Sequence, residues 1–262
     1  MKKSAFFKTE LGEYGDLEFI TIKSPALKRR GDICVYRPEA SKGKKAVKMV
    51  VLLHGVYGSH WVWSMKGSVH ETLERLIHQG KVEPMILVMP SDGLYADGSA
   101  YVEHQDADYE KWIVEDVITA CKENIEEVSE QSEMYIAGLS MGGYGALRLG
   151  AKYPSIFKGF SGHSSITDFF QMGEFVEDFS VLKENARVQE SVLEVILTNQ
   201  DLGLNFRFDC GKNDLLIEHN RRLHEELKKF GIEHVYEEFS GGHEWPYWRK
   251  HIVSSLLYFD QL

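Results

Sequence analysis

Cysteine is scarce in this sequence. Cys34, Cys121 and Cys210 lie far apart along 262 residues. An odd, sparse set excludes a disulfide framework and supplies no paired metal-ligand spacing; it fits a reduced, cytoplasmic setting. Basic charge is also short, with 30 Lys and Arg against 40 Asp and Glu and a formal net charge of -10. There is no basic stripe, and an acidic surface repels phosphate backbones, so nucleic acid is not an expected partner. No apolar run approaches transmembrane length, so no membrane partner is expected either. The opening MKKSAFFKTE places only Ala5, Phe6 and Phe7 between its first lysines and Lys8. That is too short for the apolar region of a leader peptide. Internal repeats and low-complexity segments are missing. His70-Glu71 and His224-Glu225 begin like H-E-x-x-H, but each lacks the second histidine. Neither a metal nor an organic cofactor is expected.

Hydrophobic residues make up 43% of the chain, enough for a substantial core. Unbroken apolar runs at 47–53, 85–90 and 134–140 predict strands buried on both faces. Residues 31–37, 157–162 and 205–211 predict further strands. VYEEF at 235–239 alternates, as expected closer to a sheet edge. SKGKK (41–45) is expected to join strands 31–37 and 47–53 near an edge. Helices are predicted at 68–79, 109–128 with Asp108 as N-cap, 215–230 and 245–258. This alternation predicts an α/β fold, a mostly parallel sheet flanked by helices. Residues 164–204 lack a buried strand and predict a helical insertion. Two readings stand: a cap or lid, or a surface excursion with its own small core.

Gly138-Leu139-Ser140-Met141-Gly142 matches G-x-S-x-G. The pattern gains weight from its place between the strand MYIA and a small-residue helix, since a nucleophilic serine needs a sharp strand-to-helix turn. The glycines remove side chains that would clash across such a turn. The competing reading is a glycine-rich connection without chemistry. A serine hydroxyl needs a base, and the base needs an orienting acid. In the order Ser, Asp or Glu, His, the base candidate is His243, in the loop SGGHEWPYW after the strand VYEEF. Two acids remain open in FDCGKNDLL, Asp209 and Asp214. Asp214 is favoured because it lies in the loop beyond the strand; its other reading is a helix N-cap. The oxyanion needs donors. Met141 N–H is one, and Val56 N–H, in LLHGVYGSHWVW after strand 47–53, is the other, with Tyr57 as second choice. His54 is expected to brace that loop. Tyr57, Trp61 and Trp63 are candidate pocket residues, although buried aromatics more often belong to the core. His163, in FSGHSS, is a candidate pocket residue.

HGVYGSHWVW, GLSMGGYGALRLGAKYPSIF, FDCGKNDLLIEHNRRLHEEL and GGHEWPYWRKHI occur in that order. In this the chain resembles the esterase D-like "putative esterase" family of α/β-hydrolases over about residues 15–260. The resemblance implies a single α/β-hydrolase domain over 1–262. It implies Ser140 as nucleophile, Asp214 as acid, His243 as base, and Val56 and Met141 as oxyanion donors. The ending GGHEWPYW resembles the short-chain acyl esterases of the tributyrin or acetyl type. S-formylglutathione hydrolases usually carry a cysteine in the oxyanion loop and an aspartate before the histidine; here Gly242 precedes His243.

The resulting expectation is a serine carboxylesterase acting on short-chain esters of a small soluble molecule inside the cell. The alternatives are a thioesterase like S-formylglutathione hydrolase, an acyltransferase, and a catalytically silent fold used for binding. The sequence leaves the acyl length, the alcohol and the oligomeric state open, a homo-oligomer included.

Overall fold

The apolar runs form the middle of the sheet, where strands covered on both faces need no polar side. In the computed structural model, which describes residues 9–262, nine strands make one sheet in the order β1-β2-β3-β5-β4-β6-β7-β8-β9. They are β1 (Thr9–Tyr14), β2 (Leu17–Ser24), β3 (Arg29–Tyr36), β4 (Lys48–Leu53), β5 (Met85–Pro90), β6 (Met134–Leu139), β7 (Phe157–His163), β8 (Phe206–Gly211) and β9 (Val235–Phe239). From β5 through β9 the pairings are parallel; β1, β2, β3 and β5 pair antiparallel. The segment considered as a leader, residues 1–8, lies outside the described residues. Among the described residues no helix is long and apolar enough to cross a membrane.

Helices cover both faces. The chain order is α1 (Val62–Met65), α2 (Val69–His78), α3 (Tyr109–Lys111), α4 (Ile118–Asn124), α5 (Met141–Lys152), α6 (Phe179–Asn185), α7 (Val192–Thr198), α8 (Ile217–Lys229) and α9 (Trp245–Gln261). One core holds Met141, Leu147, Trp112, Ile196 and Leu223 against β4, β6 and β8. The other holds Trp63, Leu73, Trp248 and Phe259. Helix α5 is buried all round except at Lys152. Gly150 makes this possible on the β7 side, since a Cβ there would lie 2.2 Å from the Phe160 ring.

Three expectations need correction. Strands β3 and β4, expected to be joined near an edge, are separated in the sheet by β5, and β4 lies mid-sheet. The hairpin β1–β2 was not predicted; β1 is exposed throughout and carries no apolar face to announce it. The predicted helix 109–128 is α3, a π-helical turn at Trp112–Val117, and α4, ending at Asn124. In the π turn the Trp112 indole donates to the Ser91 carbonyl at 2.7 Å. Asp116 accepts from the Ser24 hydroxyl and from Ala26 N–H. Asp108 caps this helix, accepting from Lys111 N–H at 2.9 Å.

Between β7 and β8 the insertion folds as a 3-10 turn at Phe169–Glu174, then α6, α7 and a second 3-10 turn. Its buried Phe169, Met172, Leu182, Val192 and Ile196 join the main core rather than forming a core of their own. Tyr144 on α5 donates to the Glu190 carbonyl at 2.8 Å, pinning the insertion to the helix behind Ser140.

Candidate active site

Parallel strands present their carboxyl ends along one sheet edge, and loops leaving that edge meet there. Ser140 follows β6, the Asp214 loop follows β8, the His243 loop follows β9, and the His54–Trp61 loop follows β4.

The turn at Ser140 is as tight as its sequence implies. Ser140 has φ 56° and ψ -120°, a backbone that a side chain rarely adopts and that costs of order 1–3 kcal/mol. A Cβ on Gly138 would lie 2.1 Å from the Gly142 carbonyl oxygen, and one on Gly142 would lie 2.3 Å from the Leu53 oxygen. Both glycines are therefore required sterically. Ser140 N–H donates to the His163 carbonyl at 3.0 Å, while the Ser140 carbonyl accepts Tyr144 N–H and Ile166 N–H. The elbow is held from both sides.

The structure brings Ser140, His243 and Asp214 together. His243 Nε2 lies 3.0 Å from Ser140 Oγ. His243 Nδ1 lies 3.0 Å from each carboxylate oxygen of Asp214. Burial alone raises the Asp214 pKa, but the bonds to His243 and from Leu216 N–H outweigh it and hold the carboxyl below its usual range. Asp214 does not cap α8, whose N-cap is Leu216. It accepts Leu216 N–H at 2.9 Å, which fixes the carboxylate within its own loop.

In the loop after β4, Tyr57 N–H is taken by the Asp97 carbonyl at 2.9 Å, which removes the second-choice oxyanion donor. Among the described residues no backbone carbonyl takes Val56 N–H or Met141 N–H. Met141 opens α5, where first-turn N–H groups have no intrahelical acceptor. His54 is fully buried; its Nε2 accepts Asp92 N–H at 2.9 Å, so Nδ1 carries the proton and donates to the Gly55 carbonyl at 2.7 Å. Burial pushes the His54 pKa down, opposed by the nearby Asp92 carboxylate. Tyr101 bridges the same turn, donating to the His54 carbonyl and accepting His54 N–H, both at 3.0 Å.

The expected pocket residues divide. Tyr57 is exposed, at φ 57°, and its hydroxyl reaches the Phe175 carbonyl at 3.3 Å. Trp61 is partly exposed on the same loop. Trp63 is not a pocket wall: it is buried, donates to the Leu53 carbonyl at 2.9 Å and packs edge-on to Trp245. His163 is not a pocket residue either. It is fully buried between Asp209 and Ser255. Asp209, the other acid considered, faces His163 rather than His243.

Sequence reasoning missed two neighbours of His243. The Phe175 ring lies tilted over it at 5.5 Å between centroids, and Trp248 meets it edge-on at 5.0 Å. Phe175 comes from the insertion, a contact that no local pattern encodes. Trp248 stands five residues after His243, near the start of α9, and its orientation toward the histidine is set by the packing of that helix. Among the described residues no group of three or more His, Cys, Asp or Glu side chains is placed to share a metal ion.

The model of the family described as "Putative esterase" matches residues 24–259. The chain is 25% identical to the acetyl esterase of Caldicellulosiruptor saccharolyticus over 270 residues, covering 93% of this chain and 97% of that one. A solved ferulic acid esterase superposes with a TM-score of 0.82 at 23% identity, covering 94% and 97% of the two chains. The S-formylglutathione hydrolase of Staphylococcus aureus superposes with a TM-score of 0.75 at 18% identity, covering 95% and 98%. Both are similar in fold, as α/β-hydrolases.

Proposed function

The chain belongs to this esterase family and is a carboxylic ester hydrolase, and from that premise we propose that it works through Ser140, His243 and Asp214 on short-chain acyl esters. One observation carries the assignment: a strained, buried serine whose Oγ lies 3.0 Å from an imidazole that a buried carboxylate holds by its far nitrogen.

In this mechanism His243 Nε2 accepts the Ser140 proton as Oγ attacks the ester carbonyl. The Val56 and Met141 N–H groups receive the oxyanion; one such donor is worth about 100- to 1,000-fold in kcat. Asp214 fixes the Nδ1–H tautomer and stabilises the imidazolium. His243 then protonates the leaving alcohol. Water, deprotonated by His243, attacks the acyl-enzyme and releases the acid.

The short acyl group is supported by the insertion. Phe175 covers one side of His243, Tyr57 bonds to the Phe175 carbonyl, and Glu177 N–H donates to Asp97 at 2.9 Å. This strap ties residues 164–204 to the loops after β4 and β5 and acts as a cap over the site. The similarity to an acetyl esterase points the same way.

Hydrolysis of p-nitrophenyl acetate, butyrate and octanoate and of a feruloyl ester tests this. The expected result is a steep preference for acetate or butyrate. Ser140→Ala is expected to lower kcat by about a million-fold, by analogy with another serine hydrolase. Equal turnover of octanoate would remove the short-chain assignment; a loss below tenfold in Ser140→Ala would remove Ser140 from the mechanism.

A further inference from the structure

Beneath the site lies a second polar cluster that the mechanism does not use. Asp209, on β8, is fully buried. Its Oδ1 accepts the Tyr247 hydroxyl at 2.7 Å and lies 3.1 Å from His163 Nδ1. Its Oδ2 forms an ion pair with Arg207 Nη1 at 2.8 Å and lies 2.9 Å from His163 Nδ1. The outer His163 nitrogen, Nε2, lies 2.8 Å from Ser255 Oγ, and Ser255 Oγ lies 2.6 Å from Ser161 Oγ. Arg207 continues to Glu237 on β9 at 2.9 Å. Burial alone would raise the Asp209 pKa, but His163, Arg207 and Tyr247 bring it down to about 2, so Asp209 is a carboxylate at neutral pH.

What makes this cluster more than internal ballast is where its members lead. The His163 carbonyl accepts Ser140 N–H, and the Asp209 carbonyl accepts Ser164 N–H at 2.7 Å. His163 thus sets the backbone of the nucleophile. Tyr247 is four residues beyond His243. Its ring is the floor of the His243 loop: a Cβ on Gly241, at φ 137°, would lie 2.7 Å from Tyr247 Cδ2. The Gly241 carbonyl in turn accepts Asn213 N–H, the residue before Asp214, at 2.9 Å. One carboxylate therefore connects by two-step paths to the serine and to the loop of the base.

We propose that Asp209 is a positioning residue, which through His163 and Tyr247 fixes the separation of Ser140 Oγ and His243 Nε2. The proposal rests on the triad assignment above. It predicts a loss in the chemical step rather than in substrate binding, because misplacement of reacting groups by about 1 Å can cost about 100-fold.

The test uses Tyr247→Phe, which removes one hydroxyl and keeps the ring, and Asp209→Asn. Competent sites are counted by stoichiometric labelling with diisopropyl fluorophosphate, and kcat and KM for p-nitrophenyl acetate are expressed per labelled site. The expected result for Tyr247→Phe is kcat down about tenfold with KM within about twofold; for Asp209→Asn, kcat down about 100-fold. Ile86→Val, a mild core truncation on β5, is the control and keeps full kcat per site. Full kcat per site in Tyr247→Phe, whatever its Tm, would overturn the proposal; that variant decides the matter if Asp209→Asn does not fold. Ser140→Ala separates the two failures: if it still labels and turns over, the triad assignment falls first, and the positioning proposal with it.

Discussion

At the scale of single residues, the site depends on a few atoms being absent as much as on those present. Gly142 packs where a Cβ would sit 2.3 Å from the Leu53 oxygen and 2.6 Å from the His54 oxygen. Backbone cannot yield there as a flexible side chain can. Gly142→Ala is expected to destabilise the fold by about 1–3 kcal/mol, as overpacking does. It should also displace the Met141 N–H, so kcat should fall more than the loss of stability accounts for; urea unfolding read beside kcat per folded molecule checks both. Asp214→Asn is expected to lower kcat by about 10,000-fold while preserving the fold, because the amide favours the wrong imidazole tautomer. Circular dichroism with steady-state kinetics checks this, and kinetics within tenfold of the parent would reject Asp214 as the orienting acid.

These residues were legible in the sequence because the turn that needs them is local. Gly138, Ser140 and Gly142 lie within five positions, and a steric requirement over five positions leaves a pattern. The choice between Asp209 and Asp214 was less legible. Asp209 lies within β8 and Asp214 in the loop just beyond it, and what separates them is the partner each meets, His163 for one and His243 for the other. The assignment of His163 and Trp63 to the pocket failed for the same reason. Position after a strand does not say whether a side chain points outward or beneath the site.

At the scale of elements, the insertion decides what reaches His243. Phe175 lies over the imidazole, and its carbonyl is tied to Tyr57. Phe175→Ala is expected to raise the octanoate-to-acetate ratio of kcat/KM by about tenfold, since room for methylenes in an apolar site is worth about 1–3 kcal/mol. The p-nitrophenyl ester series measures it, and an unchanged ratio would remove Phe175 from the acyl pocket. The helical character of this insertion was readable from 164–204, but its merger with the main core was not, because that depends on α7 packing against α5. The hairpin β1–β2 escaped for a different reason. In TELGEY no apolar alternation exists, and the strand is held by pairing with β2 alone. The π turn at Trp112–Val117 breaks a helical pattern that looks continuous, because the bonds at Trp112 and Asp116 are made to Ser91, Ser24 and Ala26, distant in sequence.

At the scale of the whole molecule, one buried ion cluster joins α3, α5 and the insertion. Arg148, fully buried, lies 2.6 Å from Glu110 and 3.1 Å from Glu190, and Lys152 lies 2.9 Å from Glu110. Burial raises the Glu110 pKa, but Arg148, Tyr153 and Lys152 outweigh it and bring it down to about 2 from 4.5. The folded pKa is depressed, so the stabilisation is fully present above about pH 4.5 and is lost as pH falls toward 2. Its size is roughly 3 kcal/mol. Thermal unfolding between pH 6 and 2 should show a Tm that falls steeply below pH 4.5. Glu110→Gln should start lower at neutral pH and fall less in that window. Identical slopes for the two proteins would exclude Glu110 as the source.

The central claim is that Ser140 is the nucleophile, and the most direct test is where a covalent probe lands. The protein is treated with diisopropyl fluorophosphate, digested, and the labelled peptide sequenced by mass spectrometry. The account predicts one adduct per chain, on Ser140 within IAGLSMGGYGALR, with no adduct in Ser140→Ala and much slower labelling in His243→Ala. An adduct on another residue, or undiminished labelling of Ser140→Ala, would contradict it.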